Sequence, residues 1–251
     1  IIVHMLGMGG PIEELMSIGR DFKITIIEDN CEAIGGKTSK DFYGTIGDIG
    51  VMSFDHGKMI ACGEGGMVLT NNETYQRYLM QYIDHGHENN PNLPRGRDKR
   101  VMPGFNYRMT ELQAAVGKVQ LSKLDFMLEE NKKRYFLLSS TISDFAKVRT
   151  EINSYHGSYD TFIFEIDDSQ TRLKIIDILK ALKFGTKNLP DAMEWHCSYF
   201  WRHALSQINI INSEETYRLL EKQIAIPIFL KRDLIEYDNL AKEIIKILYK
   251  R

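Results

Sequence analysis

Residues 53–66 read SFDHGKMIACGEGG, a serine-led turn in which one lysine, Lys58, stands between an Asp-His pair and a glycine-rich bend. Apolar, β-branched runs flank it, GDIGVMSF before and MVLT after, the second ended by Asn71 and Asn72. The pattern predicts two strands joined by a long turn, with the glycines supplying the bend into the second. A lysine in such a turn has two open roles. It is either a solvated cation or an amine held at the carboxyl end of a strand, where open α/β sheets place their ligands.

Upstream, KITIIEDN (23–30) is another β-branched run that ends in acids, and IEELMSIGRDF (12–22) before it reads as a short helix. With the opening IIVHMLGMGG as a strand, this strand–helix–strand order with short joints predicts a parallel α/β sheet. Asp29 then falls at the same kind of strand end as Ser53, and alternation along the strand sends Glu28 and Asp29 to opposite sides. For an isolated Glu-Asp pair, strand-end cap and ligand group both remain open. A serine hydroxyl with backbone N–H groups at a strand-to-loop turn holds a phosphate, and Lys58 five residues later reaches the same edge. An anion site, an amine and a carboxylate together match what pyridoxal 5'-phosphate requires. The opening run has no initiating methionine and reads as a strand already in progress, so upstream sequence is expected to be missing or to belong to a separate chain.

Downstream the pattern turns helical. In NETYQRYLMQYIDHG the residues Tyr75, Tyr78, Leu79 and Tyr82 recur at the spacing of one helix face. A polar stretch with three of the six prolines, HENNPNLPRGRDKRVMPG, predicts a long irregular loop. Thr110 and Gln113 form a capping-box pattern that opens a long helix with Leu112, Ala115, Val116 and Val119 on one face. From about residue 145 the order becomes strand (YDTFIFEIDD), helix (SQTRLKIIDILKALKFG, ending at a glycine C-cap), strand (QIAIPIF) and a last helix with Leu240, Ile244, Ile247 and Leu248 in phase. The expected division is residues 1–144 as part of a large α/β domain and 145–251 as a small α+β domain.

Composition removes several alternatives. Charged residues are 26% of the chain with a formal net charge of −2, which gives no field directed at nucleic acid or an anionic membrane. No apolar run has the length of a membrane span. Cys31, Cys62 and Cys197 are far apart and odd in number, which favours a reducing, cytoplasmic compartment over a disulfide framework or a zinc site. His85 and His87, beside acids at a helix end, read as solvated or substrate-facing, and no metal is expected. Arg108 has two open roles, a substrate carboxylate or an ordinary salt bridge. The aromatic run WHCSYFW (195–201) reads equally as a wall over a substrate and as core packing.

The blocks IIEDNCEAIGG, YGTIGDIGVMSFDHGKMIACGEGGMVLTNN and MPGFNYRMTELQAAVGKVQLSKLD, with AIPI near residue 225, resemble in order and spacing the DegT/DnrJ/EryC1/StrS sugar aminotransferase family. The resemblance covers essentially the whole chain and implies the aspartate aminotransferase-like, type I fold of pyridoxal-phosphate enzymes. It implies that Lys58 carries the cofactor as a Schiff base and shuttles the proton, that Asp29 pairs with the pyridinium nitrogen, that Glu32 lies on the ring's hydroxyl side, and that Ser53 binds phosphate. Asn106 matches an asparagine that reaches the phosphate of the neighbouring subunit, which implies a homodimer with shared active sites. VHMLG, SFD…K, CGEGG and DHGH look most like the branch that makes 8-amino-3,8-dideoxy-octulosonate from an 8-oxo sugar acid, with glutamate or glutamine as amino donor. Family dehydratases carry histidine in place of the lysine, so Lys58 disfavours dehydration; a non-catalytic sensing or assembly role stays open. The family's N-terminal phosphate loop and cofactor-stacking aromatic have no counterpart here, so this chain is expected to hold an incomplete site.

Overall fold

A computed structural model describes residues 1–94, 96–152, 155–201, 203 and 213–249. The chain divides into two compact units, Ile1–Asp125 with Ile152–Gly157, and Phe126–Glu151 with Ser158–Arg251.

In the first unit, strands β1 (Ile2–Val3), β2 (Ile27–Asp29), β3 (Ile49–Ser53) and β4 (Gly66–Leu69) form one sheet in that order. The β1–β2 and β2–β3 pairs are parallel and β3–β4 is antiparallel. Helix α1 (Ile12–Phe22) makes the crossover between β1 and β2, and Lys23 ends it in the left-handed conformation (φ 54°). Strand β2 is shorter than the run KITIIEDN because Lys23 leaves extended geometry and Ile26 is tied to Asp48, its N–H donating to Oδ2 at 2.8 Å and its carbonyl accepting Asp48 N–H at 2.9 Å. Ile2, Ile12, Ile26, Ala33, Tyr43 and Tyr155 pack into one core, so residues 152–157 return to this unit.

Helix α2 (Glu73–Ile83) follows β4, and Asn72 caps it by accepting the N–H groups of Thr74 and Tyr75. Of the expected apolar face, Tyr75, Leu79 and Tyr82 are half-buried while Tyr78 is 58% exposed. Thr110 and Gln113 form the capping box that opens α3 (Glu111–Leu121). The expected long helix is two helices, since the chain breaks at Ser122 and resumes as α4 (Leu124–Ile142). The face bearing Leu112, Ala115, Val116 and Val119 is exposed in this chain.

In the second unit β5 (Lys147–Val148), β6 (Thr161–Glu165) and β7 (Gln223–Pro227) form an antiparallel sheet in that order. Helices α5 (Ser169–Ala181) and, after the short α6 (Met193–His196) and α7 (Ser213–Leu220), α8 (Leu234–Leu248) pack against each other. Leu240, Ile244 and Leu248 of α8 are buried as their spacing predicts, with Ile247 half-buried. The C-cap expected at Gly185 is corrected. Helix α5 stops at Ala181 and Lys183 takes the left-handed position (φ 58°), with Lys183 N–H on Lys180 O and Phe184 N–H on Leu179 O. That is a Schellman pair, and buried Phe184 supplies its apolar contact. Trp195 and Trp201 are exposed and Cys197 is buried, so the WHCSYFW run divides between surface and core.

Among the described residues no helix is long and apolar enough to cross a membrane, and no group of three or more His, Cys, Asp or Glu side chains is placed to hold a metal. The three cysteines are free.

Candidate active site

Asp29 and Ser53 are the last residues of neighbouring parallel strands, with Asp29 in register with Val51. Both therefore stand at the carboxyl edge of the sheet. Beyond Ser53 the chain does not cross directly to β4. Phe54 N–H donates to Gly65 O and Cys62 N–H to Phe54 O, closing a loop over residues 54–65 that Phe54, Ile60 and Cys62 anchor by burial. Within it, Asp55 Oδ1 accepts Gly57 N–H at 2.6 Å and Lys58 N–H donates to Asp55 O at 3.1 Å. This is the side-chain-supported turn that an aspartate two residues before a glycine forms readily. It aims Lys58 at the sheet edge.

There the amine is held. Lys58 Nζ lies 3.3 Å from Glu32 Oε1 and 3.9 Å from Asp55 Oδ2, and its side chain is only 17% exposed. Ser53 Oγ donates to Asp55 Oδ2 at 3.4 Å, which joins Ser53 to the same cluster. Asp29 Oδ1 accepts Cys31 N–H at 3.1 Å. The Cys31 thiol is pushed up to about 12, by burial first and then by the Asp29 carboxylate, with Glu32 adding to the shift and Lys58 opposing it. Glu32, Ser53 and Lys58 thus share one patch, with Asp29 beside it through Cys31. The patch combines an amine, two acids and a hydroxyl, a donor set that fits pyridoxal phosphate.

Sequence reasoning missed what fixes this strand end. Glu28, fully buried beside Asp29, accepts four hydrogen bonds: Gly44 N–H (2.8 Å) and His4 Nε2–H (3.0 Å) on Oε2, and Ile46 N–H (2.7 Å) and Gly47 N–H (2.5 Å) on Oε1. Gly10 N–H donates to His4 Nδ1 at 3.1 Å, so the His4 proton sits on Nε2. Burial alone would raise the Glu28 carboxyl, but the bonds from His4 and the three backbone N–H groups outweigh it and hold it below its ordinary range. His4 also stacks on Tyr43, ring centroids 4.4 Å apart. The turn 44–47 folds back so closely that a Cβ at Gly50 would overlap Gly44 O.

Asn106, His85 and Arg108 lie on the segment that leaves α2. Asp84 bridges to Asn106, His85 N–H donates to Phe105 O, and Arg108 pairs with Asp84. Arg108 is thus engaged within the chain by Asp84. His85 has φ 58° and is exposed; Asn106 is exposed as well, and its side chain makes no hydrogen bond among the described residues. None of the three touches the Lys58 cluster through a hydrogen bond or ion pair among the described residues. His87 is engaged by Asp98, Nδ1 to Oδ1 at 2.7 Å.

Parallel strands that end in Asp29 and Ser53, with Lys58 turned back on the same edge, define an amine-bearing α/β site, and the chain belongs to the DegT/DnrJ/EryC1/StrS aminotransferase family, whose profile matches residues 1–239. It is similar to the uncharacterized protein MJ1066 of Methanocaldococcus jannaschii, at 28% identity over 98% of this chain and 66% of that protein. It is also similar to GDP-perosamine synthase of Escherichia coli O157:H7, at 32% identity over 62% of this chain and 42% of that protein. Among solved structures, E. coli GDP-4-keto-6-deoxy-D-mannose-3-dehydratase with bound hydrated PLP superposes with a TM-score of 0.77 at 23% identity, over 96% of this chain and 65% of that one. That likeness is one of fold, the fold of the PLP-dependent aminotransferases. The chain spans two thirds or less of the length of these relatives.

Proposed function

We propose that this chain carries the reactive lysine of a pyridoxal-phosphate-dependent sugar aminotransferase. The reaction moves an amino group from glutamate or glutamine to a keto or aldehyde sugar destined for cell-surface polysaccharide, with an 8-oxo-octulosonate as the specific candidate. One observation carries the reading: Lys58 Nζ is held between Glu32 and Asp55 at the edge where Asp29 ends its strand. The names of the relatives include both a synthase of an amino sugar and a sugar dehydratase. A lysine rather than a histidine at position 58 favours amino transfer.

The cofactor, when bound, supplies an electron sink for the carbanion at the substrate carbon. Lys58 would hold it covalently, and its amine would then take and return the proton that moves during transfer. Asp29 would keep the pyridine nitrogen protonated, its carboxylate oriented by Cys31 N–H. Ser53 would bind the phosphate, and Glu32 would lie on the ring's hydroxyl side while aligning the Lys58 amine. Asn106, with an exposed side chain, would complete the phosphate site of a second copy, which makes the working form a homodimer.

Borohydride reduction of the chain mixed with pyridoxal phosphate, followed by peptide mass spectrometry, tests the assignment. The expected result is cofactor mass on the Lys58 peptide and its loss in Lys58→Ala. Preferential labelling of other lysines, or no labelling, would overturn it.

A further inference from the structure

We propose that Asp55 is a tethered anion: its carboxylate holds the phosphate position at the end of β3 and yields it when phosphate arrives. The proposal rests on Ser53 as the phosphate-binding residue and adds a competitor from within the chain.

The two oxygens of the Asp55 carboxylate have different tasks. Oδ1 accepts Gly57 N–H at 2.6 Å, which is all that the turn at 55–57 requires. Oδ2 is left over, and it faces the two groups that define the strand end. Ser53 Oγ donates to it at 3.4 Å, and Lys58 Nζ lies 3.9 Å away. A hydroxyl, a backbone N–H and an ammonium around one anionic group make a phosphate-binding donor set. Here a carboxylate of the same loop takes all three.

A second anion cannot share these donors, because like charges on one donor set repel. Phosphate brings more charge and more acceptor oxygens than a carboxylate. The Oδ2 contacts are also longer than the roughly 2.7–2.9 Å usual for charge-assisted bonds, so they exchange readily. The Asp55 side chain is 36% exposed and can swing into solvent, whereas Glu32 is only 14% exposed. Once Asp55 swings out, Lys58 Nζ keeps Glu32, at 3.3 Å, as its acid. Asp55 thereby couples arrival of the anion to loosening of the amine. An aspartate serving the turn alone predicts otherwise. Asparagine would replace it with no effect on anion binding, since its amide oxygen accepts Gly57 N–H equally well.

The test is a titration of the ¹⁵N-labelled full chain with inorganic phosphate at constant ionic strength, read at the amides of Ser53, Gly57 and Lys58. Asp55→Asn keeps the turn and should bind phosphate about tenfold more tightly than the parent. Glu32→Gln removes one charge beside the same amine but touches neither Ser53 nor Gly57, and should gain much less. Adding Ser53→Ala to Asp55→Asn should abolish most of the gain. Unperturbed amide signals elsewhere verify the fold of each variant. No gain in Asp55→Asn, an equal gain in Glu32→Gln, or a gain that survives loss of the Ser53 hydroxyl would overturn the proposal. Phosphate binding is read without any covalent step. A chain that gains phosphate affinity in Asp55→Asn but takes no cofactor mass on Lys58 would therefore sink the lysine assignment alone.

Discussion

Glu28→Gln keeps the size of the buried side chain and removes one acceptor oxygen. The carboxylate now receives two donors on each oxygen, Gly44 and His4 on one, Ile46 and Gly47 on the other. Whichever way the amide turns, its NH₂ faces two N–H groups. His4 offers no escape, because a proton moved to Nδ1 would confront Gly10 N–H, which that nitrogen accepts. Two buried donors therefore lose their acceptor, at about 1–3 kcal/mol each. The expected cost is about 2–6 kcal/mol, a large share of the roughly 5–15 kcal/mol that stabilises a domain.

The pH dependence has a definite sign. The folded Glu28 carboxyl is held below its ordinary value of 4.5, so its contribution is complete above that pH and is lost as pH falls through the lowered value. The stability gap between parent and Glu28→Gln should be widest near neutrality and close below about pH 4.5. Two compact units make a single global transition an unsafe readout. Native-state hydrogen exchange at Gly44, Ile46 and Gly47 reports the local opening directly. Unchanged protection of these three amides in the variant, or a gap that persists unaltered through acidification, would refute the reasoning.

Two further expectations concern the same unit. With its thiol raised from 9.0 to about 12, Cys31 holds about a thousandfold fewer thiolates at pH 8 than an ordinary cysteine, and alkylation followed by peptide mapping should find it among the slowest thiols. Thr110→Ala removes the cap that accepts Gln113 N–H and should lower the local opening free energy of the first turn of α3 by about 1 kcal/mol, read by native-state hydrogen exchange. Because Gln113 Nε2 also donates to Glu64 O, this change should raise hydrogen exchange in the loop that bears Lys58.

The periodic elements were legible in the sequence because burial imposes its spacing on them. Helix α1 spans the residues its pattern predicts, 12–22, and the capping box at Thr110 opens α3. The strand ends at Asp29 and Ser53 were legible because they are marked by where apolar runs stop. What did not show was long-range pairing. Glu28 meets His4 and the 44–47 turn across 16 to 24 residues of chain, and no local pattern announces such partners. The stop of α5 was misplaced at Gly185 because lysine can occupy the left-handed position when the Schellman bonds and Phe184 burial offset its strain.

The buried network also separates the environments of the two acids at positions 28 and 29. Successive residues of a strand face opposite sides, and here the two faces are unequal. Glu28 has no solvent exposure, and both its oxygens are saturated by donors fixed in the backbone and on His4. Its charge is stabilised by these donors inside the fold, with no capacity left for a ligand. Asp29 is half-buried, accepts a single backbone N–H, and influences the Cys31 thiol together with Lys58 and Glu32. The same alternation that points Glu28 into the 44–47 turn sends Asp29 to the opposite face. Displacing β2 by one residue would exchange these faces, burying Asp29 and exposing Glu28. The four bonds to Glu28 therefore fix the register that keeps Asp29 on the opposite face of the strand.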